Sequence, residues 1–226
     1  EDLLTFKPRI EKLVLKDAKL RTFIADASHR DELVAHVYDT TFEVIKKDRD
    51  SLVIIDDSIV RGTTLEKSIL TLLDNLNPKK IVIISSAPQI RFPDCYGIDM
   101  SKMKDFVAFR AVLALLIDEG KEYLLEDVLE KCLADQNKVN EVNYVKELYA
   151  PFSYDQVSQK IGEIVKPKKM KAVLEVVFQT VEGLHKACPD HLGDWYFTGN
   201  YPTKGGNSVV NTAFINFMKG VEVRAY

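Results

Sequence analysis

The chain has 226 residues, 46% of them apolar and 29% charged, with 31 basic against 34 acidic side chains for a net charge of −3. That mixture excludes a disordered tail, a collagen-like fibre and a disulfide-stapled mini-protein, and the near balance of charge leaves no global field to draw the chain to nucleic acid or a membrane. The most apolar stretch, residues 106–117, is interrupted by Arg110 and is too short to span a bilayer.

Taken in chain order, the first predicted element is a short strand over residues 20–24, followed by a polar stretch that ends in a surface helix over 30–38. Leu52, Val53, Ile54 and Ile55 form a continuous apolar run of the kind found in a buried strand, and Ile81, Val82, Ile83 and Ile84 form a second. Between them Leu65, Ile69, Leu72, Leu73 and Leu76 recur at helical spacing, so the whole is a βαβ unit with a right-handed crossover and a parallel sheet. Gly120 is expected to end the helix carried by the apolar run before it. Leu124, Leu125, Val128, Leu129, Cys132 and Leu133 then make one apolar stripe. Ser153 and Gln156 have the spacing of a capping box, opening a helix carried by Val157, Ile161 and Ile164. The basic run 166–171 is expected to start a solvated helix, and Met170, Val173, Leu174, Val177, Val181 and Leu184 describe a longer amphipathic one. A last helix is predicted over 209–218, ending at Gly220. No repeat of 20–50 residues interrupts this order. The organisation expected is a partial α/β core over 1–118 and helical insertions with a C-terminal tail over 119–226, packed on the same domain.

Three cysteines, Cys95, Cys132 and Cys188, lack paired or metal-like spacing and suit a reducing compartment. No secretory or transit-type segment opens the sequence, so the expected location is the cytoplasm. The opening at Glu1 and Asp2, without methionine, reads as the middle of a longer polypeptide.

The chemistry is concentrated in residues 52–64, LVIIDDSIVRGTT. An apolar strand ends in the adjacent acids Asp56 and Asp57, and a short loop with Ser58, Arg61, Gly62, Thr63 and Thr64 leads into a helix. The carboxyl end of a parallel strand that feeds a helix is where open α/β sheets bind ligands, and backbone N–H groups there attract anions. Gly62 lets a phosphate approach the backbone, and the hydroxyls of Ser58, Thr63 and Thr64 add donors without adding negative charge. The acids repel a phosphate, so their partners are ribose hydroxyls, a metal cation or a cationic reaction centre. A phosphorylated sugar that turns transiently positive suits both halves of the segment. The competing bland reading, in which Asp57 or Ser58 caps a helix and Asp56 is a polar strand end, accounts for a lone pair of acids but not for the full run.

This run resembles the phosphoribosyl pyrophosphate (PRPP) motif of type I phosphoribosyltransferases, and its wording is closest to the amidophosphoribosyltransferase family. The block APQIRFPDCYGIDM over 87–100, the RTFI of 21–24 and the FTGNYPT of 197–203 are similar to further blocks of that family, in the same order. The resemblance implies an α/β fold with a mostly parallel twisted sheet of the type I phosphoribosyltransferase kind and additional C-terminal helices. It implies formation of 5-phosphoribosylamine from PRPP and glutamine-derived ammonia, the first step of de novo purine synthesis. Asp56 and Asp57 would then be catalytic, holding the ribose hydroxyls and serving Mg2+, while Ser58, Arg61, Gly62, Thr63 and Thr64 would wrap the 5-phosphate. Carboxylates stabilise the oxocarbenium character that develops as pyrophosphate leaves, and magnesium neutralises the leaving group. Purine nucleotide inhibitors and a homo-oligomer are further expectations.

Several features depart from the family's pattern. No N-terminal cysteine nucleophile is present, so ammonia would come from a glutaminase domain outside this segment, and the segment alone is expected to be inactive. The stretch after RTFI offers only His29, Arg30 and His36 as cations, against Asp26, Asp31, Glu32 and Asp39. Where some members place cluster cysteines this chain has Gly193, Asp194, Trp195 and Tyr196, so an iron–sulfur cluster is not expected. Zinc held by His185, Cys188 and His191 is not expected either. Trp195, Tyr196 and Tyr201 read as packing residues, and Cys132 as core. Arg91 is left open between facing a substrate and pairing with Asp94 or Asp99. The rival from another class is a non-catalytic PRPP- or nucleotide-sensing module with the same fold.

Overall fold

The computed structural model describes residues 14–16, 38–40, 45–96, 100–135, 142–191 and 193–225. The strand predicted over 20–24 lies outside them, as do residues 30–37 of the helix predicted over 30–38, whose last residue, Tyr38, is in a strand instead. Contacts divide the chain into two compact units, 1–52 with 63–81 and 167–173, and 53–62 with 82–166 and 174–226.

In the first unit β1 (Val14–Lys16) pairs antiparallel with β2 (Tyr38–Thr40), Val14 opposite Thr40. Three further strands, β3 (Ser51–Asp56), β4 (Lys80–Ser85) and β5 (Val173–Phe178), form one sheet in the order β3-β4-β5. The hydrogen bonds at their ends fix the direction. Lys79 N donates to Asp50 O and Ser86 N to Asp56 O, both 2.9 Å, so partners advance together along β3 and β4. Val173 N to Lys79 O and Gln179 N to Ser85 O do the same for β4 and β5. The sheet is therefore parallel, as the sequence predicts, and the class is α/β. Between β3 and β4 the chain forms a π-helical turn, Leu65–Ile69, that runs into α1 (Leu70–Asp74). Of the predicted face Leu65, Leu73 and Leu76 are buried and Ile69 and Leu72 half-buried, while Leu70, outside that face, is fully buried.

Among the described residues the largest difference from the sequence expectation falls over 166–187. The long helix expected from Met170 to Leu184 is instead β5 followed by α6 (Val181–Ala187), and the basic run 166–171 is a turn leading into the strand. The spacing of Met170, Val173, Leu174 and Val177 fits a helix, but VLEVVF is also rich in β-branched residues. A free edge of β4 decides between them by taking up the strand's backbone groups. Asp74 then fixes the entry: its carboxylate accepts from Lys171 N at 3.0 Å and Ala172 N at 2.9 Å. Thr180 caps α6 by accepting from Gly183 N.

The second unit takes in residues 53–56, 82–85 and 174–178 of these strands and a helical core. Its centre is α2 (Val107–Asp118), where Val107, Phe109, Ala111, Val112 and Leu116 are all fully buried. A helix apolar on this many sides must be covered on several, and α5 (Tyr154–Val165) packs along it with Val157, Ile161 and Val165. Another side is closed by α8 (Lys204–Met218), where Phe214 and Phe217 meet Phe109 edge-on at centroid distances of 6.3 and 5.0 Å. The last helix starts earlier than the apolar pattern suggests, because Thr203 caps it by accepting from Gly206 N. Gly120, at φ +64°, separates α2 from α3 (Tyr123–Asp135) as predicted. Val128 and Cys132 turn α3 inward, and the short α4 (Lys146–Tyr149) packs beside it. Ser153 and Gln156 make the predicted capping box. A single turn, α7 (Trp195–Thr198), precedes α8.

Candidate functional site

At the carboxyl end of β3 the chain turns out of the sheet into residues 57–62. Both acids bend back over this turn: Asp57 N donates to Asp56 Oδ1 at 3.1 Å, and Ser58 N to Asp57 Oδ1 at 2.8 Å. Burial holds the Asp56 carboxyl above its ordinary value, and the neighbouring charge of Asp57 pushes the same way, against a lowering by the Asp57 N–H. Two carboxylates this close favour a cation between or beside them. Their oxygen donors suit Mg2+, which commonly takes one or two carboxylates and fills its octahedron with water and phosphate oxygens. Among the described residues no cluster of three or more His, Cys, Asp or Glu offers a closed metal cage.

The rest of the loop is held from α2 and the turn before it. Ile59 is 3% exposed and anchors the loop in the core. Val60 O accepts from Val107 N at 2.8 Å, at the very start of α2. Arg61 O accepts from Arg110 Nη2, and the Arg61 guanidinium reaches Asp105 Oδ2 at 3.4 Å from the turn Met103–Asp105. Gly62 has φ +72°, and a Cβ there would sit 2.7 Å from Val165 Cγ1 and 3.5 Å from Val107 Cγ2. Glycine is thus required twice, by backbone conformation and by the helices packed against it. The sequence assigns it only the approach of a phosphate. Thr63 and Thr64 follow directly, are exposed, and open the helical stretch of the first unit.

The second motif block is a clamp. Arg91 neither meets Asp94 nor lies open. Its Nε and Nη2 donate to Gln89 Oε1 at 3.0 and 2.7 Å, and its guanidinium lies over the rings of Tyr149 and Tyr154 at 5.0 and 5.2 Å. Burial lowers the Arg91 pKa, and the two rings supply the electrostatic partner that a carboxylate would otherwise give. Gln89 Nε2 in turn donates to Ser158 Oγ at 2.7 Å. Asp94, fully buried, accepts from Tyr196 OH and from Tyr96 N. Trp195 packs on Tyr96 and Tyr196, and Tyr201 OH donates to Pro93 O, so the aromatic residues pack as expected. Asp99 is outside the described residues. His185 Nε2 lies 3.2 Å from Asp194 Oδ2. Burial pushes the Cys132 thiol up to about 12, which removes it as a nucleophile at neutral pH.

What sequence reasoning missed lies outside the contiguous run. Asp105, Arg110 and Val165 all touch the loop from 40 or more residues away, and only Arg110 gave a signal, as the single charge in the apolar run 106–117. A recess of about 200 Å³ lined by residues of 101–104 and 213–223 contains none of the predicted site residues.

No family profile matches the chain. Among curated proteins it is 45% identical over 58 residues to the amidophosphoribosyltransferase of Escherichia coli, covering 26% of this chain and 11% of that protein. It is 34% identical over 137 residues to the enzyme of that name from Pasteurella multocida, covering 55% and 27%. For the Lachancea kluyveri protein the figures are 34% over 135 residues, 55% and 26%. The solved glutamine PRPP amidotransferase from B. subtilis, complexed with ADP and GMP, aligns over 85% of this chain and 32% of its own at 24% identity, with a TM-score of 0.46. The chain thus resembles amidophosphoribosyltransferases, and spans between 11% and 27% of the length of these curated relatives.

Proposed function

We propose that this chain supplies the PRPP-binding part of an amidophosphoribosyltransferase, a transferase that makes 5-phosphoribosylamine from PRPP and ammonia. The observation that carries the reading is the acid pair at the end of parallel strand β3, joined to a loop that α2 and α5 hold in one shape. In this reading Asp56 and Asp57 face the ribose ring. They bind its hydroxyls and stabilise positive charge at C1 as the pyrophosphate bond breaks. Ser58, Arg61 and Gly62, with Thr63 and Thr64 next in the chain, take the 5-phosphate, backbone N–H groups and hydroxyls acting as donors. Asp56 and Asp57 would also hold magnesium, which supplies charge neutralisation for the leaving pyrophosphate. Ammonia would arrive from a glutaminase domain, and purine nucleotides would compete for the same phosphate donors.

The test has two parts. PRPP with magnesium is titrated into the chain and its Asp56→Asn, Asp57→Asn variant. The native polypeptide that carries these residues is then assayed with PRPP and ammonium for pyrophosphate release. Binding by the chain, lost in the double variant, together with pyrophosphate release that falls by about a hundredfold or more, is expected. Binding without pyrophosphate release would instead identify a PRPP-sensing module. No binding by either protein would overturn the reading.

A further inference from the structure

Arg110 has no role in the activity proposed above, yet it occupies a costly position. It sits in α2 among residues that are at most 1% exposed, Val107, Ala108, Phe109, Ala111 and Val112, and its Nε is buried with no hydrogen-bond partner among the described residues. A guanidinium partly withdrawn from water in an apolar helix needs compensation. What the structure gives it is the carbonyl oxygen of Arg61.

That carbonyl belongs to the peptide linking Arg61 to Gly62, the residue at φ +72°. One peptide earlier, Val60 O is held by Val107 N at 2.8 Å. Two successive loop carbonyls are therefore drawn onto the first turn of α2, one by the helix backbone and one by the side chain a turn further along. In a planar trans peptide the N–H points opposite to its C=O. With both oxygens turned toward α2, the N–H groups of Arg61 and Gly62 are turned to the other side of the loop. Consecutive N–H groups presented on one side, closed by a residue with positive φ, form a concavity suited to an anion.

We infer that Arg110 is a positioning residue for this site: by holding the Arg61–Gly62 peptide it sets the direction in which the Gly62 N–H is offered to a phosphate monoester. The inference rests on the PRPP reading of the loop and names the part of it that binds the 5-phosphate. Asp105 complements Arg110 by restraining the Arg61 side chain, so backbone and side chain of one residue are fixed from the same end of α2. Free to rotate, the peptide would present its oxygen to the phosphate for part of the time and repel it.

The experiment uses ribose 5-phosphate as the probe, titrated into the 15N-labelled chain and its Arg110→Met, Arg110→Lys and Arg110→Gln variants, with affinity and the Gly62 amide resonance as readouts. In the wild type the Gly62 amide is expected to move strongly on binding. In Arg110→Met affinity should fall about tenfold, the size of one hydrogen bond to a charged donor, and the Gly62 response should shrink, while resonances of Phe109 and Phe214 stay in place. Lysine keeps charge and a donor and should restore most of the affinity; glutamine, a neutral donor, should fall between. Should the methionine variant not fold, the order lysine above glutamine carries the same test. Wild-type affinity with an unchanged Gly62 response in Arg110→Met, or equal affinities for lysine and glutamine, would overturn the inference alone. A wild-type chain that binds neither ribose 5-phosphate nor PRPP would overturn it together with the reading beneath it.

Discussion

Asp56 and Gly62 show how much of this loop is set against stability by single residues. The Asp56 carboxyl is raised above 3.8 chiefly by burial, so the native state holds its proton more tightly than the unfolded chain does. Stability is therefore lost as pH rises from 3.8 through the raised native value, and is level above it. Asp56→Asn should flatten that fall and raise the Tm at pH 7, by about 1–2 °C since solvent screens a half-exposed group. Calorimetry from pH 3 to 7 would check it, and a lower Tm in the variant would refute the account. Stabilisation by Asp56→Asn together with loss of the PRPP binding proposed above is what a site built for function predicts. At Gly62 the cost runs the other way. Gly62→Ala meets both the left-handed backbone and Val165 Cγ1, and should destabilise by about 2–4 kcal/mol. Trimming Val165 to alanine in the same chain should recover only the steric share, and urea denaturation of the double-mutant cycle separates the two.

At the scale of elements, β5 shows where local pattern and tertiary demand diverge. Its residues satisfy both a helical and an extended period, and the choice falls to hydrogen bonding with β4 and to Asp74, which receives the chain as it enters the strand. Removing that receiver, as Asp74→Ala, leaves two N–H groups without their acceptor and should cost about 1–2 kcal/mol. Amide exchange of β5 should quicken in this variant while that of α2 is unchanged. Exchange rising equally in both would mean that Asp74 acts on the fold as a whole. Helix α2 is the opposite case, where pattern and demand agree. Its apolar run is legible as a buried element, and the one residue that breaks it is the one whose side chain hydrogen-bonds the loop.

At the scale of the molecule, the sheet is covered unequally. The hydrogen bonds at the carboxyl ends, Ser86 N to Asp56 O and Gln179 N to Ser85 O, place Ile55 beside Ile84, and Ile84 beside Val177, on one face; Val53 is 60% exposed there and Ile55 72%. On the opposite face Ile83 is fully buried and Phe178 nearly so. Parallel sheets are ordinarily covered on both sides, and exposed β-branched rows are adhesive. The paired substitutions Val53→Thr and Ile55→Thr should lower hydrophobic-dye binding and self-association of the chain with little loss of Tm. Unchanged dye binding would show that this face is not the adhesive surface.

The strand and turn of 52–64 could be read without a structure because they are contiguous: apolar run, acids, hydroxyls and glycine lie within one short segment, so spacing alone brings them together. The parallel βαβ order, the capping box at Ser153 and the turn at Gly120 were legible for the same reason, since each depends on residues a few positions apart. Tertiary structure alone decided that residues 173–178 are a strand, that Arg91 is clamped between two tyrosines, and that Asp105, Arg110 and Val165 shape the loop. These depend on partners distant in sequence. Local periodicity reports only what a segment could bury, whereas hydrogen-bond satisfaction and close packing choose among the possibilities once the neighbours have arrived.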